Sequence, residues 1–382
     1  MVEEHSAPAF FPRASRLLAL LFLFASATAI CVNALHPFQM DFVSYWAASV
    51  LALGGDPAAA YNIATHRAVE ASVVDFDSLM PFPYPPPFLI LLLPFGLLPY
   101  AGAAGLWIAA TFAGYFAAAR RFMPGSGWLV AAFPAVLVNG VIGQNGFLTA
   151  GLFIAGLLAL PKRPFVAGLI LGCLIIKPQL GVLLPVAFIA GGHWRAVAGA
   201  ALSALGLLLL ALILFGAEPY RAMIDLMPLY ASIASDGLVG WHKMASVYAS
   251  LRLAGMPADI AWALHILVAL AAAAAVWLVW RKECGLPAKA AMLAVGTALV
   301  SPYFYLYDTL ILIVPFLWLA AEGTNRKWLA LLWCLPLVSI AQTWGLNQTV
   351  NLLPVVTIAL LILCCRRLFA VETYRRPVLE AQ

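Results

Sequence analysis

Polar chemistry in this sequence is concentrated at four short interruptions of long apolar runs. The first is Asp41, at the head of Asp41-Phe42-Val43-Ser44-Tyr45-Trp46. A carboxylate there can take the proton from a hydroxyl, the work of a general base. It can equally cap the helix that Tyr45, Trp46, Val50 and Leu53 mark by their spacing. The residues leave both roles open. The second interruption is Gly143-Gln144-Asn145-Gly146, a turn carrying two amides, and the third is Lys177-Pro178-Gln179. The fourth, Ser301 to Asp308, brings Tyr303, Tyr305 and Tyr307 up to an acid. Trp241-His242-Lys243 adds a cationic contact suited to phosphate.

The surrounding elements are membrane helices. Of 382 residues, 64% are hydrophobic and 10% charged, where soluble proteins carry about 25% charged residues. The apolar runs lack the alternation that a transmembrane barrel requires. At about 20 residues per crossing, the length accommodates roughly a dozen helices. The reading is therefore an all-α polytopic membrane protein, residues 1–382 forming one integral membrane domain. Twelve spans are predicted: 15–35, 86–119, 127–142, 146–160, 164–176, 178–192, 196–216, 257–281, 286–301, 308–322, 327–343 and 350–365. The run 86–119 is long enough for Pro99 and Gly102 to divide it, and one crossing plus a partly inserted segment is preferred.

Lys and Arg in short loops stay on the cytoplasmic side. The twelve-span scheme puts every basic residue inside except Arg67, Lys177, Arg221, Lys243 and Arg252, and all eight Asp outside. The net charge of +5 is thus the difference of two opposed surfaces. It carries no implication of nucleic acid. Two long outer loops follow, 36–85 and 217–256, with the helix after Asp41 expected to lie on the outer leaflet. All four polar interruptions fall on this outer face, which predicts one outward cavity. A lone outer lysine breaks the charge trend, so Lys177 calls for an anion or carboxylate beside it, with snorkelling to headgroups the competing reading. Aromatics stack on sugar rings, amides bind hydroxyls and cations neutralise phosphate, so the mixture fits a sugar carried on a phosphate.

Other signals are weak. The six cysteines form no framework or metal spacing, the histidines make no ligand pair, and Gln342 to Asn351 gathers amides. Asp75-Phe76-Asp77 has the form of a metal-binding acid pair but recurs by chance. No cofactor is called for, and a divalent metal is permitted without being indicated. No glycine loop of the nucleotide-binding type is present.

The run DFVSYWAASVLALGGDPAAAYN from Asp41 to Asn62 resembles the opening of the polyprenol-phosphate-dependent membrane glycosyltransferases of family 87. FPYPPPFLILLLPFGLLPY from Phe82 to Tyr100, GQNG at 143–146, KPQLG at 177–181 and SPYFYLYD at 301–308 resemble that family in order and spacing. The resemblance implies a GT-C type fold, a site open to the periplasmic or outer face of the plasma (inner) membrane, and a catalytic acid in the first outer loop, carried over to Asp41. It implies a polyprenyl-phosphate sugar donor, mannose being the family's best-known sugar; the acceptor is not carried over from the family, and a lipid or envelope glycan is the expectation. By chemistry, Lys177, Gln179, His242 and Lys243 are assigned to the donor phosphate. Tyr45, Trp46, Tyr84, Gln144, Asn145, Tyr303 and Asp308 are assigned to the substrate pocket. The competing class is a secondary transporter or lipid-linked sugar flippase, which would place polar groups at mid-membrane and repeat its halves.

Overall fold

The computed structural model describes residues 12–75, 80–238, 240–343 and 351–379. Among the described residues the protein is all helix, and its one extended pairing is an isolated antiparallel bridge between Met244 and Tyr305. Helix α1 (Pro12–Leu35) leads into α2 (Phe42–Leu53), which Gly55 closes at φ 89°. A 3-10 turn, Pro57–Tyr61, follows, and Asn62 caps α3 (Ile63–Ala71) by accepting the Thr65 amide. Next come α4 (Pro87–Gly96), α5 (Tyr100–Phe122), α6 (Gly127–Ala131), α7 (Pro134–Ile142), α8 (Gly146–Ala159) and α9 (Pro164–Gly172). Two 3-10 turns lead to α10 (Leu184–Ala190), followed by α11 (Trp194–Phe215), α12 (Glu218–Ser235), α13 (Val247–Leu253), α14 (Ala258–Arg281) and α15 (Leu286–Val300). The 3-10 segment Leu306–Leu312 precedes α16 (Ile313–Ala321), α17 (Arg326–Thr343) and α18 (Leu353–Leu379).

Four of these helices, α1, α5, α11 and α14, are long and apolar enough to cross a bilayer. The remaining expected spans are mostly shorter because proline starts or interrupts them, removing an amide donor and clashing with the preceding turn. The run 86–119 breaks at Leu97–Pro99 into a ten-residue α4 and a 23-residue α5. The run 127–142 breaks before Pro134, and Pro178 separates α9 from α10.

The packing also corrects the expectation for α2. It is packed into the protein and not laid on its outside: Phe42, Val43, Ser44, Tyr45, Ala47, Ala48 and Ser49 are all buried. Polar groups on its buried face are satisfied internally, the Ser44 hydroxyl by the Pro81 carbonyl and the Ser49 hydroxyl by the Trp46 carbonyl. Helix α4 approaches it so closely that a Cβ on Gly96 would stand 2.7 Å from the Ser49 hydroxyl.

Small residues set the other close crossings, as in membrane bundles generally. A Cβ at Gly168 of α9 would lie 2.1 Å from the Ala196 carbonyl of α11. The opposite face of α11 presents Leu202, Leu205, Leu209 and Ile213 outward, an apolar ridge with no protein over it among the described residues. Several basic clusters meet at one end of the bundle. Arg367 of α18 pairs with Glu322 after α16, and the Lys282 ammonium sits 3.8 Å from the Phe369 ring centre. His193, two residues before Arg195, packs on Trp280, beside Arg281. Asp41 and the other polar interruptions meet elsewhere, where helices are short and broken.

Candidate active site

Asp41 precedes α2 in helical geometry, φ −59° and ψ −22°, yet its carboxylate caps no helix amide. It accepts instead from the Gln144 side-chain amide, Nε2 to Oδ2 at 2.9 Å. Gln144 belongs to the turn between α7 and α8, which Gly143 makes tight at φ 71°. Its Oε1 accepts from the Tyr45 hydroxyl, the Tyr84 hydroxyl at 3.3 Å and the Asn145 amide at 3.3 Å. With hydroxyl donors on Oε1, the amide nitrogen is left to face the carboxylate, the orientation that fits an ionised Asp41. The two tyrosine oxygens also stand 2.9 Å apart, so the Tyr84 proton is shared between Gln144 Oε1 and the Tyr45 oxygen. Burial pushes the Asp41 carboxyl above its ordinary range, while the Gln144 hydrogen bond and the Lys243 charge pull it back down.

Asn145, next in the chain, accepts from the Lys177 ammonium at 3.3 Å. Lys177 is buried, and its main partner is Asp308 Oδ1 at 2.6 Å. The other oxygen of Asp308 accepts the Tyr305 amide at 3.1 Å, and the Tyr307 ring lies under the ammonium at 4.4 Å. The lysine therefore has the carboxylate its position called for and does not snorkel. Its charge is already neutralised, and it fixes the 301–308 segment against the Gly143–Gly146 turn. That turn allows no side chain at Gly146, where a Cβ would meet the Tyr307 carbonyl at 2.4 Å.

The segment after α12 closes onto the same tyrosine run. Met244 bridges Tyr305, and the Ala245 amide donates to the Phe304 carbonyl at 2.5 Å. Asn351 donates its side-chain amide to the Trp241 and Met244 carbonyls. His242 is held 4% exposed, and its Nε2 has no hydrogen-bond partner. Burial, then the Lys243 charge, pushes its pKa below the usual histidine value, which favours the neutral ring. Lys243 is exposed and its charge acts on Asp41.

All four polar interruptions, through Asp41, Gln144 with Asn145, Lys177 and Asp308, thus form one hydrogen-bonded network together with Tyr84. Gln179 is half-buried and stays apart from it. Trp46 turns aside, donating to the Leu98 carbonyl at 3.0 Å and packing on Tyr100. Tyr303 packs with Trp241 around Met244 and Ala249. Asp77, of the Asp75–Asp77 pair, lies outside the described residues, as does most of the 342–351 amide run. Sequence reasoning missed Asn139, buried in α7, whose amide holds the Tyr307 carbonyl at 3.0 Å. A lone amide inside an apolar helix was the available signal. It also missed His66 and Glu70 of α3, a buried i,i+4 pair 3.3 Å apart that reaches Ser44 of α2.

Residues 82–302 match the family model of Glycosyltransferase family 87. The chain belongs to glycosyltransferase family 87. It is accordingly a membrane glycosyltransferase. No curated protein and no solved structure matched it. The family 87 match takes in Tyr84, the Gln144 turn, Lys177 and the His242–Lys243 segment. It begins after Asp41 and ends before Asp308, so those two carboxylates join the site through the bonds to Gln144 and Lys177.

Proposed function

We propose that this family 87 enzyme transfers a hexose, mannose by family resemblance, from a polyprenyl-phosphate sugar to a lipid or envelope-glycan acceptor, with inversion. The observation that carries this is the carboxylate of Asp41, a half-buried residue, which caps nothing and is held by the Gln144 amide. In the reaction, Asp41 takes the proton of the acceptor hydroxyl. The hydroxyl oxygen forms a bond to the anomeric carbon as the bond from that carbon to the phosphate oxygen breaks. The electron pair leaves with the lipid phosphate. One base suffices, and attack opposite the leaving group inverts the centre.

The departing phosphate gains negative charge that preorganised donors must meet. Lys243 is the exposed cation, and His242 supplies an unpartnered Nε2 that donates when that nitrogen carries the proton. Lys177 is reassigned from phosphate binding to holding the site together, because Asp308 already neutralises it. We further propose a GT-C type fold of twelve crossings in the plasma membrane with the site on the outer face. The gathering of Arg195, Arg281, Lys282 and Arg367 away from the acid supports that orientation.

The test is Asp41→Asn, with membrane insertion checked and transfer assayed from radiolabelled polyprenyl-phosphate mannose. Turnover is expected to fall by about 10²–10⁴-fold, the usual share of a general base. Undiminished turnover refutes the assignment.

A further inference from the structure

A groove of about 450 Å³ opens between the Pro57–Tyr61 turn and α12. Small-molecule sites run from about 300 to 1,000 Å³. Its polar lining is Asp56, Asn62 and Thr65 on one wall and Asp225 on the other, with Tyr61 and Leu226 supplying apolar surface between them. No lining residue is basic. Arg221, the one basic residue of α12, is turned to Glu218 at 2.5 Å. Such a lining repels phosphate and carboxylate, so it is not where a lipid-phosphate donor rests.

The groove is built rigidly against the acid's own network. Tyr61 donates its hydroxyl to the Tyr84 carbonyl at 2.8 Å, and Tyr230 of α12 donates to the Phe82 carbonyl at 3.0 Å. Both walls are therefore tied to the short segment 82–84. The Tyr84 hydroxyl at the end of that segment meets Gln144, which holds Asp41. Asp56 spends one oxygen on the Ala59 amide, and the Asn62 carbonyl oxygen takes the Thr65 amide and hydroxyl. The second Asp56 oxygen, the Asn62 amide nitrogen and the Asp225 carboxylate make no hydrogen bond among the described residues. Those are acceptors and donors for hydroxyl groups, set beside apolar surface that suits the C–H face of a sugar ring.

We infer that this groove binds the acceptor as a hydroxyl-rich glycan, neutral or cationic where it lies in the groove, and leaves the donor phosphate to the other side of Tyr84. The inference rests on the glycosyl-transfer reading for the word acceptor; the binding chemistry stands without it.

Two measurements test it. Saturation-transfer NMR on the purified full-length protein compares chitotriose, a cationic glucosamine trimer and anionic trigalacturonate. Wild type is expected to bind the first two and reject the third, and Asp225→Lys is expected to reverse the preference. An order that Asp225→Lys leaves unchanged, or no binding of any probe, overturns the groove. Separately, membranes from a strain lacking the gene, complemented with each variant, are titrated with that strain's extract. Its chloroform-soluble and water-soluble fractions distinguish a lipid headgroup from a free glycan. Asp225→Lys should raise the acceptor's KM by about tenfold, the loss of one charge-assisted hydrogen bond, with the change appearing in the acceptor's KM and not the donor's. An unchanged acceptor KM overturns it. Transfer surviving Asp41→Asn would refute the catalytic reading and leave the probe binding untouched, so the two failures are distinguishable.

Discussion

Gln144 sets the behaviour of Asp41 more directly than any other residue. Its amide hydrogen bond favours the charged carboxylate, while burial opposes it and prevails. If Asp41 is the proposed base it works ionised, and activity should rise with pH through a limb lying above the ordinary carboxylate range. Gln144→Leu removes a group that favours the charged form, so the limb should move to higher pH still. The pH profile of kcat/KM for the two proteins checks this, and a limb that moves down contradicts the assignment. The acid itself was legible in the sequence, being an isolated carboxylate beside aromatic residues. Its role was not, because capping and catalysis ask for the same residue at the same place. The structure shows only that no cap bond is made and that Gln144 holds the carboxylate instead. The sequence asked for an anion or a carboxylate beside Lys177 and assigned it to phosphate; it did not single out Asp308, 131 residues away along the chain.

Among the elements, the turns between broken helices carry the architecture. The Gly143–Gly146 turn, the Lys177–Pro178 break and the Tyr305–Asp308 segment are locked by one buried ion pair. Removing one partner of such a pair leaves a buried charge and costs about 3–5 kcal/mol, whereas removing both is far milder. Asp308→Asn should therefore lower the thermal midpoint of the detergent-purified protein sharply, and Lys177→Met with Asp308→Asn should recover most of it. A double variant as unstable as the single one would mean that the pair does more than lock the turns. Helix type was readable from apolar runs throughout, but helix length was not. Hydropathy ignores the amide that Pro134 or Pro178 removes, so continuous runs broke where the backbone could not continue. The exposure of α2 was misread for a related reason. Aromatics at helical spacing look amphipathic until α4 and α5 are found packed around them.

At the scale of the molecule, the charge sorting makes a prediction about sides. In a background without native cysteines, Asp56→Cys beside the groove should react with a membrane-impermeant maleimide in intact cells. Lys162→Cys, between α8 and α9, should react only after permeabilisation. Equal labelling of both would contradict the proposed orientation. The family 87 match covers residues 82–302, and Asp41 lies before it. Asp41 therefore depends on the contact between α2 and the Gln144 turn, which no local pattern in the sequence could reveal.

The two lysines near the acid differ in one respect that reaches beyond geometry. Lys177 is sealed with Asp308, and Lys243 stands in solvent. Dissolved ions screen exposed charges within about 10 Å at 0.1 M, and reach buried pairs far less. Raising ionic strength should thus weaken capture of the proposed lipid-phosphate donor, seen as a rising donor KM, while the scaffold keeps its melting behaviour. An enzyme built this way senses the salt of its surroundings at the moment of encounter and is deaf to it afterwards.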